Sequence, residues 1–475
     1  MGQLHSDRSR PLRQATSGRA LTPPVADLAD LERVLAETSA SPLLSDWEVR
    51  LLAPREPAPI DLVASARRAL QAPHNSPTLA QIARDKRTAV VVISDATRAV
   101  PNRLLLPLVL EELRAGGLSE SAVTVIVGTG AHRAPTEAEL DDLLGRELRD
   151  RVHVISHDAR GESVLVGRTT SGNEVRVNLA FARAQVRIAI GLVEPHEFAG
   201  FTGGRKAVLP GVAAAATILR NHSLGLLSHP RARPGILEGN PIHEEMLEAA
   251  RRAGLHFIVN VVLDRALRPL AIAAGDPDAA HRELTRFVQG YARLSPPADL
   301  QAVTQAPDVI VTGPGQPLDC NLYQSIKALV AVEPWAARDT TTILLSRCWD
   351  GTGSRDMLAP FAAGVTPAQV LRSLARDYTV EKDHAYFVAR FLARSPSVVA
   401  YCPGVDQEDL RRIGFAPAAS VADALRMAMG RVRRRPLGRR TRPIAIFLAS
   451  PQRSLLQPWL TEHLVQPPYP PRGEQ

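Results

Sequence analysis

Cysteine is almost missing from this chain: Cys320, Cys348 and Cys402 are the only three, an odd number at wide spacing. They fit neither a disulfide framework nor a zinc knuckle, so stability and any metal site must draw on other residues. Aromatic residues are scarce too, at 4%, which argues against a protein that stacks nucleic-acid bases on aromatic rings. No apolar run approaches the ~18 residues of a membrane span, and the opening MGQLHSDRSRPLRQ lacks the apolar core of a secretory signal. A cytoplasmic protein away from membranes is the expectation. Two phosphate-binding spellings are absent as well. No GxGxxG follows a strand pattern, and GGRKA puts Arg205 before Lys206 and Ala207 after it, where a Walker motif needs Gly-Lys-Ser/Thr. A nicotinamide dehydrogenase is not supported.

What is present is a globular composition, 45% hydrophobic and 22% charged, over 475 residues, a length that suggests two domains. The net charge of +8 is local: it lies in RVRRRPLGRRTR, Arg431 to Arg442, and in the arginines of the first twenty residues. The run reads as a solvated loop, with an anionic partner site as the alternative. Short β-branched runs alternate with helical patterns: AVVVIS (89–94), AVTVIVG (122–128), VHVIS (152–156), VRIAIG (186–191) and FIVNVVLD (257–264). After SPPADL (295–300), which reads as a linker, come DVIVTG (308–313), TTTILLS (340–346), SVVAY (397–401) and PIAIFLAS (443–450). Such runs are strands buried on both faces, and the alternation gives parallel sheets. The expected fold class is therefore α/β, two α/β domains with mainly parallel sheets and an active-site cleft between them. The expected division is a disordered extension over 1–40, a first domain over 41–294, a second over 295–450 and a Pro-rich tail over 451–475.

In open α/β sheets ligands sit beyond the carboxyl ends of the strands, and those loops are unusually polar here. SDATRAVPN follows the first strand with Asp95 and Arg98, and GTGAHRAPTEAEL follows the second with Thr129, Gly130 and His132. Thr136 and Glu139 there read as a capping box. The fourth strand runs into PHEFAGFTGGRKAVLPG (195–211), which carries His196 and Lys206. That loop has three readings: a loop whose glycines approach phosphate, a lysine activated by the adjacent Arg205, or a chemically silent turn. His132, His196 and His222 all fall near strand ends, whereas His153 and His256 lie within or beside strands and read as structural. Neutral imidazole suits nickel, copper or zinc, but no four-ligand set is visible, so a metal would need donors from elsewhere.

Taken in order, DATR, GTGAHR, EPHEFAGFTGGRKAVLPG, NHS, GNPIHEEM, FIVNVVLD, PLDCNLYQSIKAL and DGTG resemble the nickel-pincer lactate racemase family of 2-hydroxyacid racemases and epimerases, across roughly residues 45 to 450. The resemblance implies a cofactor, nickel-pincer nucleotide (pyridinium-3-thioamide-5-thiocarboxylate mononucleotide) carrying Ni(II), whose sulfur, carbon and sulfur supply three donors. It further implies Lys206 as the covalent tether, His222 as the nickel ligand, and His132 and His196 as interchangeable general acid and base. One histidine removes the hydroxyl proton while hydride leaves the adjacent carbon for the cofactor ring, and return to the opposite face of the 2-oxo acid inverts the centre. Asp95, Arg98, Thr129 and Gly130 match the family's cofactor-side loops. Tyr323, Gln324 and Lys327 match residues that handle the substrate carboxylate or the cofactor. The implied partners are a small 2-hydroxy acid and the enzymes that make the cofactor.

One stretch departs from the family: where lactate-type members carry a tryptophan in a D-Q-W segment, this chain reads EKDHAYFVAR, with Asp383 and His384. Two readings stand for His384, part of a changed wall suited to a larger or more polar acid, or an ordinary surface residue. Two other functions remain in competition. A non-catalytic cofactor binder would keep Lys206 and His222 but has no use for two further histidines. An anion or nucleic-acid binder working through Arg431 to Arg442 would show salt-sensitive binding.

Overall fold

The structure, a computed structural model, describes residues 28, 30–302, 306–362, 364–434 and 441–459. The chain opens with helix α1 (Leu31–Ser39), capped by the Asp30 carboxylate on the Arg33 amide at 3.0 Å. Strand β1 (Glu48–Leu52) follows. Next come β2 (Ala89–Ser94), β3 (Val123–Gly128), β4 (His153–Ser156), β5 (Val186–Leu192), β6 (Phe257–Leu263) and β7 (Pro269–Gly275). They form one six-stranded sheet in the order β7-β6-β5-β2-β3-β4, parallel except at β6/β7. The second half supplies β8 (Val309–Gly313), β9 (Thr341–Leu345), β10 (Ser397–Tyr401), β11 (Ala416–Pro417) and β12 (Ile444–Ala449). These join β1 in a second, all-parallel sheet, β1-β12-β8-β9-β10-β11. The fold class is α/β, as the alternation of runs predicts.

The continuous apolar runs have a direct cause. Side chains alternate across a strand, so Val91 and Ile93 of β2 enter one apolar cluster and Val90 and Val92 another. Both faces are covered, and no polar position is needed. The second cluster is continuous with the second sheet, where it takes in Ile310, Leu344, Val398 and Ile446. The shared core sets the strand ends of the first sheet against the helices of the second.

The structure places two early segments elsewhere than expected. Helix α1, inside the expected extension, packs Leu31, Val34 and Leu35 with Val311, Ile343 and Phe447. Strand β1, inside the expected first domain, pairs residue for residue with β12, Glu48 on Ile444 through Leu52 on Leu448. Both therefore belong to the second sheet, because its edge and outer face would otherwise stay bare. The chain at the expected linker is packed as well: Arg293–Leu294, just before it, pairs with Leu455–Leu456, inside the expected tail, and Leu300, at its end, is buried. The remainder of the expected extension and tail, and residues 435–440 of the arginine run, lie outside the described residues. No helix among the described residues is long and apolar enough to cross a membrane. The three cysteines are unbridged.

Candidate active site

Each loop at the carboxyl edge of the first sheet is folded by its own polar residues. After β2, Asp95 Oδ1 accepts from the Thr97 amide at 3.1 Å and its hydroxyl at 2.6 Å, closing the turn. The other oxygen, Oδ2, lies 2.7 Å from His132 Nδ1. Burial alone would raise this carboxyl, but the charge and hydrogen bond of His132, the Thr97 hydroxyl and Arg98 outweigh it and hold the pKa well below the usual carboxylate range. After β3, the Thr129 hydroxyl donates to His157 O at 2.8 Å, its amide to Val127 O and the Gly130 amide to Gly211 O. All three donors are taken, and they shape the turn that carries His132, while both residues line the cavity as the resemblance implies for the cofactor side. The capping box is present, with Arg133 also drawn onto Glu139 at 2.7 Å.

The loop after β5 is the most constrained. Thr202 Oγ1 donates to Leu192 O at 2.6 Å and accepts from the Glu194 amide at 2.9 Å, pinning the short hairpin that presents His196. Gly203 and Gly204 have φ of 77° and 54°. A Cβ on Gly203 would lie 2.7 Å from Asn260 Oδ1, and one on Gly204 3.1 Å from the His281 ring. These glycines therefore allow close packing within the first half of the chain, and both also border the cavity. Gly203→Ala is expected to destabilise the protein by about 2–3 kcal/mol, from backbone strain plus overpacking, measured by urea unfolding. Arg205 turns away from the cavity to Ala199 O at 2.7 Å and His281 Nε2 at 2.9 Å.

Lys206 turns inward. Its ammonium lies 5.5 Å from the centre of the Phe198 ring, and no hydrogen bond or ion pair reaches it among the described residues. Burial above all, then Arg205, Arg98 and Lys327 set against the opposing charge of Glu197, hold its pKa well below the ordinary lysine value. The adjacent arginine contributes, as the sequence suggested, but burial is the larger cause. Helix α2 (Ala215–Asn221) ends at His222, buried edge-on to Phe198 at 5.0 Å, with Nδ1 lacking any partner among the described residues. Burial and Lys206 push its pKa down to about 3. His196 is also kept neutral, by burial and then by Lys206, Lys327 and Arg98. The Phe198 and Ala199 amides point at its Nδ1 from 3.5 and 3.4 Å. Glu197 Oε2 is 3.3 Å from the same atom without a hydrogen bond to it.

The second sheet contributes helix α3 (Leu322–Val332) and helix α4 (Asp383–Arg394). Lys327 reaches Glu197 Oε1 at 3.5 Å, and the Tyr323 hydroxyl donates to Asp383 Oδ1 at 2.7 Å. Every site residue named from the sequence except Gln324 lines one cavity between the two sheets. Gln324 borders an adjoining cavity of about 500 Å³ that also touches Asp95, His132 and Tyr323, and its buried Oε1 has no partner among the described residues. The surface reading of His384 is corrected: it is 1% exposed and lines the main cavity. Among the described residues no three His, Cys, Asp or Glu side chains converge as a metal site.

Four residues of the site were not singled out in the sequence. Glu194 sits between Arg98 and Arg453, each at 3.7 Å; Glu197 pairs with Lys327; and Asn260 accepts from the Gly204 amide at 2.7 Å. Asn260 had a signal, as the one polar residue in the buried strand FIVNVVL. Arg453 had none, since nothing local ties it to a loop 259 positions earlier.

The profile described as "Lactate racemase N-terminal domain" matches residues 37–235, and that described as "Lactate racemase C-terminal domain" matches 302–435. The lactate racemase of Thermoanaerobacterium thermosaccharolyticum is 34% identical over 369 residues, 76% of this chain and 84% of that protein. The lactate racemase of Lactiplantibacillus plantarum is 37% identical over 288 residues, 60% of this chain and 66% of that protein. The lactate racemase apoprotein structure from T. thermosaccharolyticum aligns with a TM-score of 0.74 and 31% identity, covering 83% of this chain and 92% of that one. A crystal structure of a Thermotoga maritima protein, at TM-score 0.61 and 15% identity over 85% of this chain and 99% of that one, shares the fold.

Proposed function

The chain belongs to the lactate racemase family, and from that premise we propose that it inverts a 2-hydroxy acid on a lysine-tethered nickel-pincer nucleotide. It is an isomerase of the racemase type. One observation carries the fuller reading: a half-buried, unpaired lysine and an imidazole whose buried Nδ1 has no partner among the described residues share a cavity with two more histidines.

The residues fit such a group. Lys206 would hold it: burial and the neighbouring cations lower its pKa and so favour the uncharged amine, the form that can be acylated. His222 would ligate the nickel through an imidazole that burial keeps unprotonated. When bound, the group would supply a reversible hydride acceptor and, through sulfur and carbon, the remaining donors to Ni(II). An adjoining cavity of about 590 Å³, contiguous at Gly130 and His132, is bordered by Arg133 and Arg160 together with Asp158 and Glu381 and offers room beside the main cavity.

The chain's own part in the chemistry is proton handling and orientation. With Nδ1–H donated to Asp95, His132 keeps a lone pair on Nε2 and is the resting base. With amides aimed at its Nδ1, neutral His196 carries its proton on Nε2 and would hold the substrate oxygen by donating a hydrogen bond from it. His132 Nε2 takes the hydroxyl proton, and the oxygen of the inverted product regains one from His132 or from His196 in its imidazolium form, so the proton count of the site is unchanged over a turnover. His132, with its side chain 38% exposed, can exchange its proton with solvent. Lys327 brings the charge that suits the substrate carboxylate, and the shared core around the cavity limits water.

The test is intact mass and metal analysis of the protein co-produced with cofactor-synthesis enzymes. The expected result is an adduct on Lys206 and about one nickel per chain; an unmodified chain without nickel would sink the cofactor reading. His222→Ala should keep the adduct and lose most of the nickel.

A further inference from the structure

The wall contributed by the second sheet holds a histidine that this mechanism does not use. His384 is the second residue of α4, and its Nδ1 lies 2.6 Å from Asp383 Oδ1, the oxygen that also accepts the Tyr323 hydroxyl. The ring is clamped: it stacks on Tyr323 with centroids 3.7 Å apart and meets Phe387 edge-on at 5.7 Å. Because Asp383 already takes one proton donor and faces Nδ1, the imidazole donates there and keeps a lone pair on Nε2. That Nε2 is buried and has no partner among the described residues. A buried acceptor left unmade costs its desolvation, so the native complex should supply a donor to it.

We propose that His384 Nε2 accepts a hydrogen bond from a second hydroxyl of the substrate, so that the preferred substrates are 2-hydroxy acids hydroxylated beside the reacting carbon. This rests on the racemase reading above and narrows it. An unadorned alkyl side chain would leave Nε2 unsatisfied. A second carboxylate would need a further cation, and those nearby are committed: Lys327 to Glu197 and the first carboxylate, Arg98 and Arg453 to Glu194. It would also face the carboxylate of Asp383. A neutral hydroxyl meets the acceptor without either cost. His384 reaches the cavity from the same wall as Lys327, whereas Lys206 and His222 come from the first-sheet loops, so its partner falls on the substrate.

Lactate, glycerate and malate separate the cases, since glycerate is lactate with one added hydroxyl and malate is lactate with one added carboxylate. Each is titrated by calorimetry into the cofactor-loaded protein and followed by polarimetry. Glycerate is expected to exceed lactate in both affinity and kcat/KM by about 10–100-fold. In His384→Phe that ratio should fall toward unity, because glycerate loses the contact that lactate never had; His384→Leu serves if the larger ring unfolds the protein. Lactate inverted as well as glycerate, or a preference that survives both variants, overturns the proposal and leaves the racemase reading standing. A malate preference lost on removing His384 overturns it in favour of an imidazolium–carboxylate contact. A protein that neither binds nor inverts any of the three counts against the racemase reading and takes this inference with it.

Discussion

Lys206→Ala protein, co-produced with the cofactor-synthesis enzymes, is expected to emerge folded, at its unmodified mass, without nickel and without turnover. The fold should survive because the Lys206 ammonium has no ion pair to break among the described residues, and its burial costs stability in the charged form. The chemistry should not survive, because the other lysine lining the cavity is paired: Lys327 is held by Glu197 at 3.5 Å. Lys206→Arg is the sharper control. It keeps the positive charge and much of the volume but presents a guanidinium that stays protonated and cannot be acylated, so it should be as inactive as alanine. An adduct still present on either variant would place the tether on another residue.

His132→Gln and His196→Gln are each expected to lower turnover by about 10²–10⁴-fold while leaving the adduct and nickel in place. The equilibrium constant between enantiomers is unity, so kcat/KM must fall equally in both directions whichever histidine is lost. Polarimetry started from each enantiomer separately checks this. Turnover of either variant near wild-type level would remove that histidine from its role.

The sequence carried much of this because its signals are local. A strand buried on both faces must be apolar throughout, so AVVVIS and SVVAY coincide with β2 and β10. The polar loops that follow them carry Asp95, His132, His196 and Lys206 into one cavity because parallel strands end on one side. What stayed hidden depends on distant pairing. EVRLL is a half-exposed edge strand with no alternation that marks it, and its partner lies near the other end of the chain. The engagement of Thr129 by His157 and of Gly130 by Gly211 is a property of the folded turn and left no mark in GTGAHR. Asp383 and His384 looked ambiguous because burial of a short helical face against Tyr323 and Phe387 is set by packing between the sheets.

The pairing of β1 with β12 also governs the order in which the protein can be made. During synthesis the whole first sheet, residues 89 to 275, leaves the ribosome before β12 exists. The strand made first thus finds its partner last, after a wait of nearly the full chain. Through that interval Glu48–Leu52 and the apolar face of Leu31–Ser39 stand uncovered, and Arg453 has not yet come to rest beside Glu194. A chain stopped short of Ile444 therefore loses more than its final strand: it leaves an open edge at the beginning and an unclosed wall at the cavity, although every histidine of the site has already been synthesised.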